Sequence, residues 1–243
     1  MQNEKILVAI AEDKKEDMKM IKTAIESLPN YKVVITAESG RELILKLDEA
    51  KKLPHLVLMD MQMPKCDGLL ATIISKRLFQ NLKIVGLSTH TYSKVINQFM
   101  AEGGDSFLSK FIVMKESAIS INAYKDPNIL EKAMNKIIHE NEVYFDILCH
   151  YQGEDYKRIK STYKIITEKF HNFSQDYLTL LQLNAAGFSR LECAKLLKVS
   201  FSTIKKYFHY LVRLFQVKNH LDLVNIAATN GIVKYFTLYQ DFD

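Results

Sequence analysis

The chain has 243 residues, 48% hydrophobic and 25% charged, proportions of an ordinary globular protein that argue against disorder, collagen and a disulfide mini-scaffold. The net charge of +5 is too mild to reveal a nucleic-acid partner by itself, and the length favours two domains. Cys66, Cys149 and Cys193 are far apart and form no CxxC pair, which speaks against a zinc knuckle or a secreted disulfide framework and fits a reducing cytoplasm.

The first residues, MQNEKILVAIAEDKKED, lack the basic start, long apolar middle and cleavage site of a signal peptide. No stretch of about 18 uncharged apolar residues is present, so no membrane span is expected. ILVAIA (6–11) is a continuous apolar run, as in a strand buried on both faces. Helical spacing follows over 14–28, with Met18, Ile21, Ile25 and Leu28 on one side. Strands are predicted at 31–37, 55–60, 83–88 and 106–110, with helices at 42–50, 67–79 and 92–102 between them. Gly103-Gly104 stops the last of these helices. After Asp126-Pro127 another helix presents Leu130, Ala133, Met134, Ile137 and Ile138. This alternation predicts a doubly wound α/β fold with a five-stranded parallel sheet over residues 1–140.

From 141 onward the patterns are helical, with no convincing strand. Residues 141–172 read as a helical linker, in which Tyr156, Ile159, Tyr163, Ile166 and Phe170 form a short heptad-like seam. That seam either packs on one of the two domains or pairs with a second copy of the chain. Residues 173–243 form the second domain, all-α, with four short helices broken at Gly187, Val199-Ser200 and Val217-Lys218.

Ligands of an open α/β sheet bind beyond the carboxyl ends of its strands. Strand one ends at Glu12-Asp13, strand three at Asp60, strand four at Ser88 and strand five at Lys110. Clustered carboxylates repel one another and call for a hard cation, and oxygen ligands suit Mg²⁺. A metal-held aspartate can attack a phosphoryl group and form an aspartyl phosphate. Such transfer needs mostly positioning and charge neutralisation, which Mg²⁺ and the Lys110 ammonium would supply, with Ser88 bonding a phosphoryl oxygen. The plainer alternative is a salt-bridge cluster with no chemistry.

The segment VLMDMQMPKCDG (57–68), with its Asp, Met-Pro and Asp-Gly, resembles the phosphoacceptor segment of response-regulator receiver domains. The acidic pair at 12–13, the Ser after strand four and GGDSFLSK (103–110) agree with it. The resemblance implies Asp60 as phosphoacceptor and metal ligand. It implies Asp13 and the Gln62 backbone carbonyl as direct Mg²⁺ ligands, and Glu12 as a ligand through water. Ser88 and Lys110 would hold the phosphoryl group, and Phe107 would be the aromatic that turns inward on phosphorylation. Gln62 and His90 stand where such receivers tune phosphate lifetime, or are simply solvated edge residues. Two features depart from the pattern. Phe111 replaces the proline that often follows the lysine, and an apolar stretch over 111–126 is about ten residues longer than usual before the last helix. That insertion is expected to pack beside the face through which such receivers dimerise and to alter dimer geometry.

In SRLECAKLLKVSFSTIKKYFHYLVR (189–213), Leu191, Ala194, Leu196 and Leu197 suit a first helix, and Lys198-Val199-Ser200 a turn. The second helix turns Ile204, Tyr207, Phe208, Leu211 and Val212 inward and shows Ser202, Lys205, Lys206, His209 and Arg213 outward. This is a helix-turn-helix arrangement whose second helix fits the major groove; a plain bundle with a solvated basic face is the alternative. Residues 173–224 resemble the LuxR-type domain of NarL/FixJ-family response regulators, at landmarks Gly187-Phe188-Ser189, Glu192-Cys193-Ala194, Thr203-Ile204-Lys205 and Val217-Lys218-Asn219. The resemblance implies that Lys205, Lys206 and His209 face the groove and that Ser202 and Thr203 lie near phosphate. Departures fall at Tyr177, Tyr207, Leu214 and Gln216, where the family usually has Glu, His, Lys and Gly.

The expectation is therefore a cytoplasmic response regulator rather than an enzyme, phosphorylated on Asp60 by a histidine kinase, dimeric when phosphorylated, and binding double-stranded DNA to control transcription. The alternative is a phosphorelay or protein-binding adaptor whose degenerate helix-turn-helix no longer reads DNA. A stand-alone phosphohydrolase would need a second substrate pocket that nothing in the sequence supplies. The mild net charge divides unevenly, since residues 174–234 alone hold 8 basic and 3 acidic residues.

Overall fold

The structure is a computed structural model that describes residues 4–114, 117–151 and 174–235. Five strands pair in parallel: β1 (Ile6–Ala11), β2 (Tyr31–Ala37), β3 (Leu56–Asp60), β4 (Lys83–Ser88) and β5 (Ser106–Ser109), in the order β2-β1-β3-β4-β5. The predicted doubly wound sheet is present. Its chain order reverses beside β1, so β1 and β3 open a crevice at their carboxyl ends.

The apolar runs are continuous because both sheet faces are covered. In β1, Val8 and Ile10 point to the layer of α1 (Lys15–Glu26) and α6 (Ile129–Ile138), with Ile21, Ile25, Leu130, Met134 and Ile137. Ala9 and Ala11 point to the opposite layer, with Leu43 and Ile44 of α2 (Gly40–Glu49), Leu70 and Ile74 of α3 (Gly68–Leu78), and Ile96 and Phe99 of α4 (Ser93–Ala101). Each fully buried Ile or Leu here contributes roughly 1.5–3 kcal/mol.

Local sequence sets the segment beside the crevice. Asp67 caps α3 by accepting from the Leu70 amide at 2.9 Å. Gly68 then lets the helix start pass over the end of β3: a Cβ there would lie 2.2 Å from the Asp60 carbonyl oxygen. The Asp-Gly pair is thus a helix start that leaves room for the Asp60 strand end.

After β5 a 3-10 turn (Lys110–Ile112) leads to the short helix α5 (Ala118–Ala123). Ile112 and Val113 of the insertion are buried in the α1-side layer, whereas Ile119 and Ile121 of α5 are exposed.

The helical linker needs correction over its described part. Residues 141–151 contain no helix, and Phe145 forms a parallel bridge with Phe107 on the outer edge of β5. The Phe107 amide donates to the Tyr144 carbonyl at 3.1 Å, and the Tyr144 amide donates to the Ser106 hydroxyl at 2.9 Å. Buried Asp146 accepts from the Ser109 and Leu148 amides, and Phe145 stacks on Tyr151 at 4.1 Å. An unpaired strand edge needs partners, and this segment provides them. Residues 152–173, with the heptad-like seam, lie outside the described residues.

The C-terminal helices are α7 (Gln175–Ala185), α8 (Arg190–Leu196), α9 (Phe201–Leu214) and α10 (His220–Thr229). Ser174, Ser189, Ser200 and Asn219 cap them, and Ser189 with Glu192 closes a capping box. They meet the α2–α4 side of the sheet domain. Arg41 bonds Glu192 at 2.5 Å and lies 5.2 Å over the Phe188 ring, while Lys195 reaches Asp48 and Glu49, each at 3.2 Å. Among the described residues no helix is long and apolar enough to cross a membrane.

Asp146→Ala leaves the Ser109 amide without its acceptor in a position that is 0% exposed. Thermal unfolding should show a loss of about 1–3 kcal/mol, the cost of an orphaned buried donor. Hydrogen exchange of the Ser109 amide should accelerate, and Asp146→Asn, which keeps an acceptor, should recover most of the loss.

Candidate functional site

The strand ends bring together the residues expected there. Glu12, Asp13 and Asp60 offer ligand oxygens that all lie within 4.8 Å of one another. Lys110 emerges from the end of β5 with Nζ 2.6 Å from Glu12 Oε2 and 3.0 Å from Asp60 Oδ1. Ser88, buried at the end of β4, accepts from the His90 amide at 3.0 Å. The Gln62 backbone amide bonds Asp60, so the residue expected to lend its carbonyl is held next to the acceptor. His90 is half-buried in the loop after β4, with Tyr92 beside it at 6.4 Å between ring centroids.

The electrostatics are those of carboxylates forced together. Burial, then the Asp60 charge, pushes the Glu12 carboxyl up to about 7. Burial also raises the Asp60 carboxyl, against the opposing pull of Lys110. Burial works against the charge on Lys110, but Asp60 and Glu12 outweigh it and hold its pKa above the ordinary value. Asp13 Oδ1 is buried with no hydrogen-bond partner. An orphaned carboxylate oxygen facing two more carboxylates fits a hard divalent cation such as Mg²⁺, held by Asp13, Asp60 and Glu12.

Phe107 is fully buried and meets Phe99 edge to face at 5.5 Å. Gly86 makes room for it, since a Cβ at Gly86 would lie 2.5 Å from the Phe107 ring. The aromatic expected to turn inward is inward in this structure, and its strand carries the Phe145 bridge.

The structure adds one residue that sequence patterns do not single out. Asp17 Oδ2 accepts from Lys110 Nζ at 3.3 Å. Asp17 stands in the first turn of α1, where an acid is favoured by the helix dipole, and that ordinary explanation hides it. The usable signal is its spacing, one helical turn beyond Asp13.

In the C-terminal helices, Ser202, Lys205, Lys206, His209 and Arg213 of α9 are all exposed, and Thr203 is half-buried. Ile204, Phe208 and Leu211 face the core. Lys205 Nζ lies 4.8 Å from the Phe201 ring centroid, a cation–π contact that leaves it at the surface. The contacts with the sheet domain, among them Glu192 and Lys195 of α8, Gln175 of α7 and Lys234, leave the basic face of α9 uncovered. The departures at 177 and 207 are a matched pair: the two tyrosine rings meet edge to face at 4.9 Å, and Tyr210 stacks on Tyr177 at 4.9 Å. Leu214 is exposed, and Gln216 has φ +53°, the left-handed region where a glycine would be unstrained.

Comparison with protein families matches residues 8–121 to the response regulator receiver domain. The chain is 26% identical over 246 residues to the transcriptional regulatory protein YxjL of Bacillus subtilis, covering 96% of this chain and 100% of that one. It is 23% identical over 229 residues to the response regulator protein VraR of Staphylococcus aureus, covering 90% of this chain and 96% of that one. A solved structure of the RcsB response regulator of Salmonella typhimurium matches with a TM-score of 0.48 and 22% identity, covering 93% of this chain and 99% of that chain. Residues 8–121 are therefore a receiver domain. Over nearly its whole length the chain is similar to proteins described as transcriptional and response regulators.

The Glu12 carboxyl titrates near 7 in the fold against 4.5 ordinarily, so stability falls as pH rises through that window. A bound cation relieves this repulsion above it, while protonated carboxyls bind metal poorly. At pH 8, Mg²⁺ at about ten times its Kd should add roughly 1.4 kcal/mol to unfolding. The gain should shrink at pH 5 and disappear in Asp13→Asn, as read by thermal melts. Separately, Gln216→Gly should stabilise the C-terminal helices by about 0.5–1 kcal/mol, the left-handed strain relieved less glycine's extra freedom when unfolded.

Proposed function

We propose that this chain is a DNA-binding regulator of a two-component system, in which a histidine kinase phosphorylates Asp60 and the C-terminal helix-turn-helix then controls transcription. The proposed units are a receiver over 1–140, a linker over 141–172 and a LuxR-type domain over 173–243. The observation that carries the reading is the pairing, in one chain, of a lysine-clamped Asp60 beside two further carboxylates with an exposed basic helix face.

In the transfer, an Asp60 carboxylate oxygen attacks the phosphorus of the kinase's phosphohistidine, and the P–N bond breaks with its electron pair leaving on the imidazole. Mg²⁺, when bound by Asp13, Asp60, Glu12 and the Gln62 carbonyl, supplies charge neutralisation. Lys110 stays protonated and bonds a phosphoryl oxygen, helped by the same carboxylates that raise its pKa. Ser88 accepts from the His90 amide and can keep that bond while its own O–H donates to a phosphoryl oxygen. Phosphorylation acts as a population shift, with the phosphorylated form pairing as a homodimer. Leu221, exposed on α10, supports pairing through that last helix. The free thiols of Cys66, Cys149 and Cys193 are in keeping with a cytoplasmic setting.

On DNA, Lys205, Lys206 and His209 would reach bases and phosphates from α9, with Ser202 and Thr203 near phosphate. Lys205→Ala with Lys206→Ala should remove most binding to a selected duplex. It should also flatten the plot of log affinity against log salt by about 0.9 for each phosphate no longer neutralised. Binding unchanged by the double substitution would overturn the DNA assignment. A protein that is phosphorylated yet recovers no duplex from random sequence would instead be an adaptor.

A further inference from the structure

The Lys110 ammonium is held by one carboxylate more than phosphoryl transfer requires. Its partners are Glu12 at 2.6 Å, Asp60 at 3.0 Å and Asp17 at 3.3 Å. Glu12 and Asp60 belong to the set that would share a metal ion, and Asp17 does not. When a cation takes up the charge of Glu12 and Asp60, Asp17 is the acid left to hold the lysine. The Asp17 side chain is 15% exposed, against 0% for Glu12 and 3% for Asp60. Asp17 can therefore be rehydrated when the lysine turns away, whereas the other two cannot. Its contact is also the longest of the three, which makes it the one most readily exchanged.

We propose that Asp17 is a positioning residue that competes with the incoming phosphoryl group for the Lys110 ammonium and thereby slows phosphorylation of Asp60. The inference rests on Asp60 being the phosphoacceptor. With acetyl phosphate as donor, an Asp60 oxygen forms a bond to phosphorus. The bond from phosphorus to the acetyl oxygen breaks, and acetate leaves with the electron pair. Lys110 keeps its proton throughout and only changes partner, from the Asp17 carboxylate to a phosphoryl oxygen. The Asp17 charge acts by drawing the ammonium away from the place where the phosphoryl oxygens must meet it.

The test measures the rate of phosphorylation of the full chain by acetyl phosphate with Mg²⁺, by intact mass. Wild type, Asp17→Asn, Asp17→Glu and Asp60→Asn are compared across donor concentrations. Asp17→Asn should raise the rate by about threefold to tenfold, since removing one charge at this range shifts the barrier by about one factor of ten or less. Asp17→Glu keeps the charge and should stay within about twofold of wild type. In a Lys110→Gln background the effect of Asp17→Asn should vanish, because the residue acts through the lysine. A rate unchanged or lowered by Asp17→Asn overturns the inference while leaving Asp60 as acceptor intact. So does an equal effect with and without the lysine. A wild type that gains no phosphoryl mass, or an Asp60→Asn chain that gains as much, defeats the phosphoacceptor reading itself.

Discussion

The Lys110 ammonium, enclosed by carboxylates at the end of β5, is the interaction on which the rest of the structure depends. Glu12, Asp60 and Lys110 are each almost fully buried, and none of the three charges would be tolerated there alone. Together they balance badly: one cation faces Glu12, Asp60 and Asp17, and burial, with the Asp60 charge beside it, pushes the Glu12 carboxyl up to about 7 despite Lys110. Removing the lysine would leave buried acids uncompensated, and adding a phosphoryl group without a metal ion would worsen the repulsion. The site is thus stable only as a set, and that is why it responds to a change in any one charge.

Strand β5 carries the consequences of that set outward. Lys110 follows its last residue, Phe107 lies in its middle, and its outer edge is paired by Phe145. The linker contacts three of its four residues, through Ser106, Phe107 and Ser109, and the His150 amide bonds the Thr91 carbonyl in the loop after Ser88. Both β5 and that loop are therefore bonded directly to residues 144–150.

The sheet is legible in the sequence because burial on both faces writes itself into unbroken apolar runs such as ILVAIA, and the acids, Ser88 and Lys110 fall where strand ends must place polar groups. The four C-terminal helices are legible from their caps and breaks. The linker segment is not: Tyr144, Phe145 and Asp146 gain their meaning only from the exposed edge of β5, about forty residues earlier in the chain, and no local period marks a single bridge. Asp17 escapes notice for the opposite reason, since an acid in a first helical turn already has a sufficient local explanation.

The C-terminal departures look like losses only when taken singly. Tyr177 and Tyr207 replace two polar positions together and fill the space with an edge-to-face ring pair, which Tyr210 extends. These rings, with the Tyr207 hydroxyl donating to Asp176 at 3.4 Å, join α7 to α9. Lys205, Lys206 and His209 lie on the exposed side of α9, and contact with the sheet domain leaves them uncovered. In this arrangement the sheet domain does not act by masking the basic face. The two parts meet instead through contacts that include those of α8 with Arg41, Asp48 and Glu49, so a shift of α2 reaches the C-terminal helices without touching the basic face of α9.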